Sequence, residues 1–173
     1  QFCTKLCGKA SWFLPFNKGY HDGAGNPPNP EGIMTDYLWK DILTKTKLSR
    51  IIENYAQVVV EENPETRKKS VKQIWPRYHQ LDCVEKLLAD VKQYGVGKRY
   101  LIQHSAGSGK SNSIAWLAHQ LIGLERDGRP MIDSVIVVTD PRSLDKQIPD
   151  TIKQFMQVKT TVVWARHPGD WNK

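Results

Sequence analysis

The stretch His104–Ser111, HSAGSGKS, restricts more than any other how this chain can fold. Two glycines one residue apart, followed by lysine and serine, let backbone N–H groups turn inward around an anion with no Cβ in the way. Such a loop works between a strand that delivers it and a helix whose N-terminal donors and dipole face the same anion. The flanks read that way. RYLIQ (99–103) is a strand-length apolar run, and KSNSIAWLAHQLIGLE (110–125) has helical spacing. DGRPM turns the chain, and DSVIVVTD (133–140) reads as a second, buried strand. The result is a β-loop-α-β unit, which predicts an α/β fold with a parallel sheet and flanking helices.

Upstream, YHQLDCVEKLLADVKQY (78–94) places Leu81, Val84, Leu87, Leu88 and Val91 on one helical face, and Gly95 and Gly97 end it. Pro76 marks a boundary, before which the pattern is that of a small α+β segment. SWFLPFNKG (11–19) reads as an aromatic strand broken by Pro15, and the Gly/Pro/Asn-rich loop 20–32 follows. Thr35 is a candidate N-cap for a helix through DYLWKDILTK, with Leu38, Trp39, Ile42 and Leu43 at helical spacing. KLSRIIENY continues as a second helical piece or a bent extension, and AQVVV and KSVKQIW flank a polar stretch as a hairpin would.

Composition narrows the classes only a little. The net charge of +7 in 173 residues is spread along the chain and allows a polyanionic partner without requiring one. No apolar run is long enough to span a bilayer, and no secretory leader is readable. The three cysteines make no disulfide framework; Cys3 and Cys7 lack a second Cys/His pair at zinc spacing, and Cys83 reads as a small core residue. A reduced, cytosolic setting fits. The chain opens on Gln1 rather than Met, and so reads as a piece of something longer.

Within the loop each residue type has a chemical reason. Gly107 and Gly109 clear the backbone around a phosphate, Lys110 reaches the β/γ-phosphates of ATP, and the Ser111 hydroxyl suits Mg²⁺. His104, Ser105, Ala106 and Ser108 complete the expected ATP-binding set. His104 stands where the strict Walker pattern has its first glycine, so the helicase spelling through Gly107 and Gly109 fits better. Gln80 lies at the start of the helix preceding the loop strand. An Arg-aromatic-x-Gln element there is what superfamily 2 helicases and translocases use to read adenine, since the amide can pair with the N6/N7 edge.

Taken together, WFLPFNKG with GAGNPPNP, YLW, PRYHQLD, LIQHSAGSGKSNSIAWLAHQL and DSVIVVTDPRSLDKQ resemble the motor (R) subunit of type I restriction–modification enzymes, in order from Trp12 to Gln147. His104 is the residue usual in that family at its position. The resemblance implies a bacterial, cytoplasmic subunit with a nuclease domain and two RecA-like motor domains. It works with methyltransferase and specificity subunits and pumps double-stranded DNA at the expense of ATP before cutting it. In that scheme residues 1–75 are a connector between nuclease and motor, and 76–173 the N-terminal part of an incomplete RecA-like domain 1. Thr139 would touch the DNA backbone, a salt-sensitive and sequence-independent contact, with Arg142 beside it. Pro141 replaces the family's usual basic residue, which should weaken that contact.

The expected motor is incomplete. After Lys110 no apolar run ends in Asp-Glu, since Asp140 is followed by Pro141 and Asp170 has no strand before it. The catalytic set is therefore not complete in this chain, and nuclease carboxylates and arginine finger are missing as well. Efficient hydrolysis, translocation and cleavage should be absent from the chain alone. An unpaired strand at 160–164 would favour self-association. Two other readings stay open: a small stand-alone NTPase, which would need a lid with catalytic arginines, and a non-catalytic P-loop module that binds DNA or a partner.

Overall fold

The computed structural model describes residues 2–3, 13–23, 25–62, 66–138 and 151–152. The chain is mixed α/β. Strands β1 (Phe2–Cys3) and β2 (Phe13–Leu14) form a minimal antiparallel pair. The Gly/Pro-rich loop then closes on itself: Tyr20 and Gly23 exchange backbone hydrogen bonds of 3.1 and 2.9 Å, with His21 and Asp22 both at positive φ. Those two left-handed residues make the tight two-residue turn that a right-twisted hairpin wants.

The helix expected from Thr35 forms only as a π-helical turn, Leu38–Ile42, in which the Leu43 N–H reaches back five residues to Leu38. Ile42 is buried while Trp39 and Leu43 are half exposed. The turn follows burial of one side chain rather than the 3.6-residue stripe. The cap moves accordingly. Thr44, in extended conformation, precedes helix α1 (Lys45–Asn54), whose Ile51 is fully buried. The hairpin appears as β3 (Gln57–Glu62) and β4 (Lys69–Ile74), in register from Gln57↔Ile74 to Glu62↔Lys69.

Helix α2 (Tyr78–Tyr94) has the expected bounds and ends at Gly95 with φ +82°. Leu81, Val84 and Val91 are buried along it. Helix α3 (Lys110–Ile122) packs against α2 and buries Ala115 and Trp116. One hydrophobic cluster joins Phe16, Tyr37, Ile42, Ile51, Tyr55 and Val59 to Leu81, Val84, Ala115, Trp116 and Ile152, so both sides of Pro76 share a core. Across it, the Lys47 ammonium meets Glu85 of α2 at 2.9 Å and Asp41 at 3.0 Å. Burial works to lower the Lys47 pKa, but these two carboxylates outweigh it and the net shift is upward.

Among the described residues the predicted parallel sheet is not seen. Every sheet among the described residues is a two-stranded antiparallel pair, the last being β5 (Glu125–Arg126) with β6 (Arg129–Pro130) around a left-handed Asp127-Gly128 turn. The runs read as strands at 99–103 and 133–140 carry no ladder in their described parts. Leu101 and Val138 are 95% and 88% exposed. A hairpin strand finds its partner within a few residues, whereas a parallel strand depends on one reached through a crossover. Neither run meets such a partner among the described residues. The strand expected at 160–164, and the pair Cys3/Cys7 considered for zinc, fall outside the described side chains. Among the described residues no helix is long and apolar enough to cross a membrane.

Burial pushes the Tyr55 hydroxyl up to about 12. The neutral phenol is therefore favoured by folding. This contribution is complete below pH 10, the ordinary tyrosine value, and is lost as pH rises toward 12, at no more than about 1.4 kcal/mol per pH unit for one proton. Denaturant midpoints at pH 8, 10 and 11 should show the decline above pH 10 and not below it. The decline should be smaller in Tyr55→Phe; an unchanged slope in that variant would assign the loss to other groups.

Candidate phosphate-loop site

The loop is held where the N-terminal ends of α2 and α3 meet. Gly107 and Gly109 have φ of +73° and +80°, the left-handed values that only glycine adopts without cost. Gly109 is the N-cap of α3, and its carbonyl accepts from Asn112 and Ser113 at 3.0 and 3.3 Å. That leaves the first-turn N–H groups at the mouth of the loop, as at any helix start.

From the other side α2 supplies two side chains. The Gln80 amide nitrogen donates to the Gly109 carbonyl at 2.8 Å, and its oxygen accepts from the Arg77 N–H at 2.8 Å. His79 Nε2–H donates to the Ser108 carbonyl at 3.0 Å, while its ring meets His104 edge-on with centroids 4.9 Å apart. Two consecutive loop carbonyls are thus fixed by two consecutive residues of α2. Burial lowers the His79 pKa, with nearby Arg77 and His104 adding to the effect and the Ser108 bond opposing it. Nε2 carries the proton of this contact, since the carbonyl can only accept.

The expected site residues 104–111 all lie together. Lys110 is exposed and folds back so that Nζ donates to the carbonyls of Ser105 (2.9 Å) and His104 (3.2 Å). Ser105, Ala106 and Gly107 are exposed at the tip, and Ser111 is half-buried in the first turn of α3. Ser108 is 6% exposed, and its Oγ has no hydrogen-bond partner among the described residues. Gln80 is adjacent, as its spacing suggests, but it is 3% exposed with both ends of its amide committed to protein. Thr139 and Arg142 lie outside the described residues.

Sequence reasoning missed His79. It adjoins Gln80 in PRYHQ, but only the packing of α2 on α3 shows that its ring spans to residue 108. Behind the loop an apolar cleft of about 190 Å³ runs between the helices, lined by Cys83, Leu87, Ile102, Ile114 and Leu117 and reaching Lys110. Burial raises the Cys83 thiol, which fits its reading as a packing residue.

The family model for the SWI2/SNF2 ATPase matches residues 79–167, starting at His79 and including the whole loop. No curated protein and no solved structure matches the chain.

Proposed function

The chain belongs to the SWI2/SNF2 ATPase family, and on that premise we propose that it is the ATP-binding piece of a type I restriction enzyme R subunit. In this reading the parent subunit couples ATP hydrolysis to movement of double-stranded DNA and to its cleavage, in complex with methyltransferase and specificity subunits. The restriction assignment rests on the ordered set of sequence stretches from Trp12 to Gln147. Residues 1–75 act as the connector. The apolar runs 99–103 and 133–140 become neighbouring strands of a RecA-like sheet in the assembled motor, which would cover Leu101 and Val138.

The observation that carries the nucleotide assignment is the double attachment of His79 and Gln80 to the carbonyls of Ser108 and Gly109. It presents the loop and the start of α3 as one preformed surface. The groups present suit Mg-ATP: two left-handed glycines, a lysine at the helix start, and the Ser111 hydroxyl, an oxygen donor of the kind Mg²⁺ takes. When bound, Mg²⁺ would neutralise charge on the β/γ-phosphates. Lys110 exchanges its two backbone acceptors for phosphate oxygens, and Gln80 either keeps the loop in shape or turns its amide to adenine.

The test is a titration of Mg-ATP into the chain and into Lys110→Ala, followed by phosphate release with and without double-stranded DNA. Losing a charge-assisted contact to phosphate should weaken binding by about tenfold or more. No DNA-stimulated turnover is expected, because no Asp-Glu pair ends an apolar run after Lys110. Equal affinity in the two proteins would remove the phosphate-loop reading, and robust turnover would move the small-NTPase reading to the front.

A further inference from the structure

We propose that the nucleoside end of the bound nucleotide sits in a cleft built jointly by the loop around Lys18 and the start of α2, which makes Lys18 part of the ATP site. The inference rests on the ATP-binding reading above and adds to it a wall that no motif predicts.

The cleft holds about 200 Å³ and is lined on one side by Asn17, Lys18 and Gly19, and on the other by Arg77, Tyr78 and His79. Its volume lies below the ~300–1,000 Å³ of pockets that enclose a whole drug-sized ligand. It therefore takes part of a nucleotide, and a base with its ribose edge is the part left over when the phosphates occupy Gly107–Ser111. His79 is the shared wall: it lines the cleft, and its Nε2 holds the Ser108 carbonyl of the phosphate loop. Cleft and loop are therefore one residue apart, as the two ends of a nucleotide need.

The chemistry of the lining suits a flat, electron-rich heterocycle. Tyr78 and His79 offer ring surface, and Lys18 and Arg77 offer donors to ring nitrogens, a carbonyl or ribose hydroxyls. Arg77 lines the cleft as a residue, and its buried Nε has no hydrogen-bond partner among the described residues. Lys18 is already placed. Its ammonium lies 4.8 Å from the Tyr37 ring centroid and 6.0 Å from that of Tyr78, a cation–π arrangement.

The Lys18 side of the cleft is preformed, not recruited. The Lys18 N–H donates to Asn26 Oδ1 at 2.9 Å, Gly19 N–H to the Gly25 carbonyl at 2.9 Å, and the Tyr37 hydroxyl to the Phe16 carbonyl. Phe16 is 3% exposed and stands edge-on to Tyr78 at 5.6 Å. This anchoring ties the loop before Gly25 to the first turn of α2. Occupancy of the cleft would bear on how the two segments sit together.

The experiment compares Mg-ATP with inorganic tripolyphosphate, which can use only the phosphate loop, on the wild-type chain, Lys18→Ala and Lys18→Arg. Lys18→Ala should weaken Mg-ATP about five- to tenfold, the scale of a lost partly desolvated cation–π or ionic contact, and leave tripolyphosphate unchanged. Lys18→Arg, which keeps a cation over the rings, should restore most of the ATP affinity. Equal ATP affinity in wild type and Lys18→Ala overturns the proposal, as does an equal loss for both ligands, which would mean that Lys18 acts through fold or general charge. If wild type binds tripolyphosphate as tightly as ATP, the cleft is empty of nucleoside while the phosphate-loop reading stands. If it binds neither, both readings fall.

Discussion

Trp116→Ala should leave the chain largely unfolded in conditions where the wild type is native. Trp116 is 1% exposed at the centre of the core, with its ring 5.8 Å from that of Tyr55, and its Nε1–H donates to the Tyr55 carbonyl at 2.9 Å. Truncating a buried aromatic of this size costs about 3–5 kcal/mol. Leaving the Tyr55 carbonyl without its buried donor adds about 1–3 kcal/mol. The sum approaches the whole of a domain's ~5–15 kcal/mol. Denaturant unfolding followed by far-UV circular dichroism should show the midpoint collapse. Trp116→Phe, which keeps a ring and loses only the donor, should fall between the two. A midpoint for Trp116→Ala within experimental error of the wild type would mean that Tyr55 and α3 do not share a core. It would also separate the segment before Pro76 from the one after it.

The second large effect is expected from Gly109→Val, and it reaches stability and binding together. A Cβ at this position would lie 2.5 Å from Gln80 Nε2, on a backbone with φ +80° that side-chain-bearing residues rarely adopt. A β-branched residue there costs on the order of 1–3 kcal/mol in backbone strain. Displacing Gln80 from the Gly109 carbonyl removes a further ~0.5–1.5 kcal/mol and exposes the N-terminus of α2 to the same loss. The loop would lose its Gln80 tether to α2, though its carbonyl still accepts from Asn112 and Ser113, so Mg-ATP binding should fall sharply while the helical circular dichroism is mostly kept at low temperature. Gly107→Ala makes the control. Among the described residues nothing lies within 4 Å of a Cβ there, so the strain at φ +73° is the main cost and the stability loss should be clearly smaller. Equal losses for Gly107→Ala and Gly109→Val would show that the Gln80 contact has no energetic weight.

Much of the site was legible before any coordinates. The bounds of α2 follow from an apolar stripe over Leu81, Val84 and Val91 with Gly95 behind it, and the loop from two glycines whose φ values leave little choice. The neighbourhood of Gln80 and the loop followed from the fixed order of a helix, a connecting run and a second helix. What the Gln80 amide does there did not follow, because adenine and the Gly109 carbonyl offer it similar hydrogen-bond chemistry. The helix expected from Thr35 failed for a different reason. Its periodic residues include Trp39 and Leu43, which the core leaves half exposed, so the stripe overstated the face that is buried.

The sequence by itself determined the elements whose stabilising contacts are local: three helices, the β3–β4 hairpin, the Asp127-Gly128 turn and the left-handed glycines of the phosphate loop. Each depends on residues within a few positions, where propensity, spacing and allowed φ act directly. Only the tertiary structure decided that Trp116 caps the Tyr55 carbonyl, that His79 and Gln80 hold successive loop carbonyls, and that Lys18 stands over Tyr37 and Tyr78 beside them. It also decided that Leu101 and Val138 lie in the open, whatever their β-rich surroundings favour. Those outcomes depend on partners brought from distant parts of the chain, and a residue's own neighbours in sequence carry no record of whether such a partner arrives.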